Sequence, residues 1–190
     1  MEVRDAQADV RSAYRGGFAG PLVSSLIWSA AAAAYEWASP GVGIAILFLG
    51  GILIFPISTL VLKILGSHAA LPKGHPSNAL ALQSAFTVPL GLLVAIALGS
   101  FQSDLFFPAS LIIVGAHYLT FISLYGIRLY GALAGVLVAI GAASMFWLPG
   151  LRGLSGWIGA LVLLTFALPL YLTYRASGAH VSEATAPSPA

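Results

Sequence analysis

Read for uninterrupted apolar runs, the chain divides into six stretches of about 20 residues, each bounded by a charge, a proline or a glycine-rich turn. They fall at about Phe18 to Ala38, Gly41 to Gly66, Asn78 to Leu98, Phe106 to Tyr125, Leu129 to Leu148 and Gly156 to Tyr174. No period-2 alternation of the kind a barrel strand needs runs through them, so each is predicted to be a helix that satisfies its own backbone. Pro56, Pro89 and Pro169 lie inside three of these stretches, where a membrane helix accommodates proline by a kink. The predicted fold is an all-α polytopic transmembrane bundle of six helices over residues 18–174. A cytoplasmic N-terminal segment, 1–17, precedes it, and a Ser-, Thr- and Pro-rich tail, 175–190, follows as disordered cytoplasmic chain.

Composition sharpens this reading. Of 190 residues, 59% are hydrophobic and only 7% charged, against roughly 25% charged in a soluble domain. The segment before the first span contains Glu2, Asp5 and Asp9, and the apolar run after it is too long for a signal peptide, so that span is read as retained. The absence of cysteine removes thiol nucleophiles and thiolate metal sites, and His68 and His75, seven residues apart, fit no zinc spacing. No metal, no cofactor and no nucleic-acid partner is expected; membrane lipids are the expected surroundings.

Charge sets the orientation. With the N-terminus inside, Arg4, Arg11, Arg15, Lys63, Lys73, Arg128 and Arg175 all fall on the cytoplasmic side, and Arg152 alone falls outside. Both termini are therefore predicted to be cytoplasmic. Tyr14, Tyr125, Tyr130, Tyr171 and Tyr174 read as the aromatic girdle of that side, and Trp37, Phe106, Phe107, Trp147 and Trp157 as the girdle of the other.

Helix association in lipid relies on small residues and interhelical hydrogen bonds. Gly131, Gly135, Ala139 and Ala142 form a small-residue stripe on the fifth span, predicted to pack against another helix of the chain or, alternatively, to join two copies in a homo-oligomer. Phe86 to Leu92 and Phe166 to Leu172 share the pattern Phe-x-x-Pro-Leu-x-Leu in the third and sixth spans, as a duplication of three spans would require.

Ionisable groups at membrane depth are the candidates for chemistry. His117 lies about 17 Å from the start of its span, near the midplane. Ser29, Thr87 and Thr165, at similar depth, are the predicted hydrogen-bond partners of its imidazole, and Glu36 lies near the outer mouth of the first span. His117 reads either as a link between two helices or as a proton-handling or ligand-binding group. Three functions follow: a small transporter or channel, an accessory or scaffold protein binding lipids or other membrane proteins, and an intramembrane enzyme using His117 and Glu36 on a lipid or isoprenoid. Hydrolase and phosphotransfer motifs are missing.

Phe55-Pro56, Asn78 with Leu80 and Pro89, Phe106-Phe107-Pro108, Gly115-Ala116-His117-Tyr118-Leu119 and Leu124-Tyr125 resemble a family of small bacterial integral membrane proteins of unknown function. The resemblance extends over roughly Tyr14 to Tyr130. It implies a multi-pass protein of the bacterial inner membrane, with Gly-Ala-His-Tyr as a signature, and implies no activity.

Overall fold

The computed structural model describes residues 2–184, with side chains described through Arg175. Seven α-helices follow in order: α1 (Val3–Ala13), α2 (Ala19–Trp37), α3 (Pro40–Ile64), α4 (Ser77–Phe101), α5 (Phe106–Tyr125), α6 (Leu129–Phe146) and α7 (Ser155–Ala184). Six of them, α2 to α7, are long and apolar enough to cross a membrane. The helix ends obey local chemistry. Ser39 accepts the Val42 N–H at 3.3 Å and Pro40 occupies the first turn of α3, a pairing suited to an N-terminus. Gly126, at φ +67°, closes α5 in the left-handed conformation that glycine adopts without steric penalty. α3, α4 and α7 run through Pro56, Pro89 and Pro169 without breaking.

Within the expected N-terminal segment, residues 3–13 form α1, an amphipathic helix with Ala6 and Val10 buried. One expectation needs correction. The last helix does not stop at Tyr174 but continues to Ala184; the remaining tail, 185–190, lies outside the described residues.

The packing divides the spans into two trios. α2 packs most extensively on α3 and next on α7, while α5 packs most extensively on α6 and next on α4; the contacts of α3 with α4, and of α6 with α7, are smaller. Exchanging α2, α3 and α4 for α5, α6 and α7 leaves this ranking unchanged. A 3-10 turn precedes the first helix of each half, at Arg15–Gly17 and at Ser103–Leu105. Since each half has three spans, its partner enters the membrane from the opposite face. The third helix of each half crosses over to the other, so the packed units are α2, α3 and α7 on one side and α4, α5 and α6 on the other.

α1 lies across the end of the bundle that carries both α1 and the close of α7. Gln7 Nε2 donates to the Ser123 carbonyl at 2.8 Å and Arg11 Nη1 to the Tyr125 carbonyl at 2.7 Å. These are carbonyls of the last turn of α5, which lack intrahelical partners and attract cations. Arg15 donates to the Leu65 carbonyl at the end of α3, and Ser67 Oγ to the Ala13 carbonyl at 2.7 Å. α1 thus ties both trios together. At the opposite end Arg152 has the same role for α6, donating to the carbonyls of Ser144 (3.3 Å) and Met145 (2.9 Å) and standing 3.6 Å from Asp104.

Candidate functional site

His117 lies in the seam between α5 and α4, where its Nδ1 is 3.1 Å from the hydroxyl of Ser84. Its ring packs on Phe121 and Tyr118, with centroids 4.9 and 5.6 Å apart. The three partners predicted for it are elsewhere. Thr87 and Thr165 are exposed on the outer surface of their helices and return their hydroxyls to the carbonyls of Gln83 (3.0 Å) and Val162 (2.9 Å). Ser29 donates to the Ser25 carbonyl at 2.8 Å. A hydroxyl that bonds within its own helix costs little in lipid and provides no link. Glu36 is exposed at the far end, where Trp157 Nε1 donates to its Oε2 at 3.0 Å. The structure does not bring Glu36 and His117 together, which leaves an acid–base pair made of these two without its geometry. Since Ser84 and His117 belong to one trio, their bond holds α4 onto α5.

The richer arrangement lies between the trios, at residues that the sequence alone does not mark as a site. At one end Phe107 of α5 meets Trp28 (5.9 Å between centroids) and Tyr35 (5.2 Å) of α2. Towards the α1 end the Tyr118 hydroxyl faces Ser24 of α2, and the Tyr130 hydroxyl donates at 2.8 Å to the Gly16 carbonyl in the turn before α2. Tyr118, Phe121, Tyr125 and Tyr130 form a cluster of rings 5.2 to 6.0 Å apart. Tyr125 and Tyr130, expected in the interfacial girdle, are buried. Gly16 and Gly17, both at positive φ, fold the chain over them; a Cβ on Gly17 would lie 2.7 Å from the Tyr125 ring. The available signal was the spacing Tyr118, Phe121, Tyr125, which places three rings along one side of a helix.

The small-residue stripe of α6 packs within the chain only at its ends: Gly131, where a Cβ would lie 3.1 Å from Ile122 of α5, and Ala142 are half-buried. Gly135 and Ala139 are exposed, and a Cβ on Gly135 would meet nothing within 4 Å. The face that meets α5 is the neighbouring one: a Cβ on Gly115 would lie 3.0 Å from the Ala134 carbonyl oxygen, and one on Gly141 would lie 2.7 Å from that of Pro108. Among the described residues no group of three or more histidines and carboxylates is placed to hold a metal.

A family model described as a family of unknown function, DUF7010, matches residues 3–173. The chain belongs to DUF7010. The DUF7010 match takes in α1, all six spans and the seam between the trios, a wider extent than the motifs from Tyr14 to Tyr130 suggest. No curated protein and no solved structure matches the chain.

Proposed function

We propose that this DUF7010 protein is a small transporter of the bacterial inner membrane, with both termini in the cytoplasm, in which the two trios rock against each other. The observation that carries this reading is the inverted exchange of halves in the packing, with Pro89 and Pro169 in the corresponding helices α4 and α7. Inverted repeats with interrupted helices in equivalent places are the architecture of alternating access, and the solute site lies where the repeats meet. Here that place is the seam of Trp28, Phe107, Ser24, Tyr118 and Tyr130. Rings and hydroxyls with no charged side chain among them suit a small uncharged solute. His117 then serves as a positioning residue that keeps α4 on α5.

The test uses two serines of equal burial, Ser24 between the trios and Ser84 within one, each 3% exposed. In the cysteine-free background, Ser24→Cys in liposomes reacts with a small water-soluble thiol reagent and Ser84→Cys does not. If both stay unreactive, no aqueous path opens between the trios and the transport reading fails. The orientation is read from Ala70→Cys and Ser103→Cys, both exposed and on opposite ends. An impermeant reagent added to intact cells labels position 103 and spares position 70.

A second reading, an accessory or scaffold protein, is favoured by the outward face of Gly135 and Ala139 on α6, which offers a close-approach surface to a second copy. It predicts a stable dimer in bilayers that Gly135→Leu abolishes, and an unreactive Ser24→Cys.

A further inference from the structure

At the α1 end a recess of about 480 Å³ opens between the trios, lined by Arg11, Gly126, Ile127, Arg128, Leu129 and Thr173. We infer that this recess is a binding site for the phosphate headgroup of an anionic phospholipid. Two arginines from separate elements, α1 and the turn between α5 and α6, line it, and among the described residues no acidic side chain does. Arginine suits phosphate because its planar fork donates two parallel hydrogen bonds. Arg11 uses Nη1 on the Tyr125 carbonyl and keeps further N–H donors for a ligand.

The acids of α1 are occupied elsewhere. Asp5 accepts the Glu2 N–H at 3.3 Å in a capping box, and Asp9 stands 3.3 Å from His75 Nε2. Because His75 Nδ1 accepts the Ser77 N–H at 3.1 Å, the neutral ring carries its proton on Nε2 and donates it to Asp9. Leu129, which also lines the recess, is the first residue of α6, so the positive end of that helix faces the same space. Gly126 keeps the site open to Arg11: a Cβ there would lie 3.1 Å from the Arg11 guanidinium.

Depth selects the source of the phosphate. The recess coincides with the first turn of one span and the last turns of another, which is headgroup level. Ile127 and Leu129 supply apolar wall for the glycerol and the upper acyl chain. Basic pockets between transmembrane helices on the side rich in Lys and Arg bind such headgroups.

The experiment places the full chain in nanodiscs of phosphatidylcholine with a minor fraction of phosphatidylglycerol and counts the lipids retained after transfer to detergent, by native mass spectrometry. The wild type retains phosphatidylglycerol in preference to phosphatidylcholine. Arg128→Gln, at an exposed position, lowers that retention about fivefold, whereas Lys73→Gln, which removes the same charge from an exposed site on the loop before α4, leaves it unchanged. Added inorganic phosphate does not release the lipid. Equal losses in the two variants would reduce the effect to diffuse surface charge, and the absence of any preference would remove the site. Release by inorganic phosphate would make a free anion the ligand. Each of these outcomes overturns the assignment.

Discussion

The seams within each trio and the seams between them are built differently. Inside a trio, the pairs α2 with α3 and α5 with α6 approach to the backbone: a Cβ on Gly43 of α3 would lie 2.7 Å from the Ala31 carbonyl oxygen of α2, and Gly141 of α6 stands in the same relation to Pro108 of α5. Between trios, glycines face side chains and not backbone: Gly51 of α3 meets Leu92 and Gly99 of α4 meets Ile44, both at 3.6 Å, Gly156 meets the Phe107 ring at 3.1 Å, Gly159 meets Leu111 at 2.8 Å and Gly17 meets the Tyr125 ring at 2.7 Å. The hydroxyls of Tyr118 and Tyr130 lie there as well, against Ser24 and the Gly16 carbonyl. A backbone-to-backbone seam leaves no room for sliding, because close-packed groups must separate completely before they can move. A seam of rings and hydroxyls can part and exchange its hydrogen bonds for those of water or a solute. The difference teaches which parts of the molecule behave as rigid units.

Substitutions test that contrast, the largest effect first. Gly141→Leu drives a side chain into the Pro108 carbonyl and costs at least about 3 kcal/mol, so the folded protein is lost from detergent extracts. If it is recovered with a normal melting temperature, the trio seams are not close-packed. Trp28→Ala empties a site where the indole lies against Gly159 of its own trio and Phe107 of the other; a loss of about 3 to 5 kcal/mol is expected, read as a thermal or denaturant shift. Ser84→Ala removes the link to His117 and costs about 1 kcal/mol. His117→Gln, which keeps a donor and an acceptor, costs less than His117→Leu; a larger loss for Gln would mean that the imidazole has a role beyond joining α4 to α5. Gly135→Leu, on the open face of α6, changes monomer stability by less than about 0.5 kcal/mol, and a marked destabilisation would restore that stripe as a packing seam.

The spans were legible in the sequence because hydropathy is a local property. The bounds Phe106 to Tyr125 agree with α5, and the starts of α3, α4, α6 and α7 fall within a residue of those expected. Facing was not legible. Gly131, Gly135, Ala139 and Ala142 make a plausible seam on a helical wheel, yet it is the adjacent row, Ala134, Val138 and Gly141, that faces α5, with Gly131 at its edge against Ile122. Hydroxyl partners were not legible for a related reason. Thr87 and Thr165 satisfy themselves on their own helices, so depth alone does not bring them to His117. Tyr125 and Tyr130 carried the composition of an interfacial belt and are buried because Gly16 and Gly17 fold the chain across them. The repeated Phe-x-x-Pro-Leu-x-Leu in α4 and α7 was the one long-range signal, and the packing gives it a structural counterpart.

Relative motion of the trios is the central claim, and pulsed electron paramagnetic resonance on spin-labelled cysteines in lipid bilayers addresses it directly. A chain with no native cysteine needs no background mutations. One pair, Ser39→Cys with Ser103→Cys, spans the two trios at the end away from α1. The other, Ser103→Cys with Phe146→Cys, lies within the trio of α4, α5 and α6. Two distance populations, or one broad one, for the first pair beside a single narrow distance for the second is the predicted result. Equally narrow single distances for both would contradict it and leave a rigid six-helix bundle.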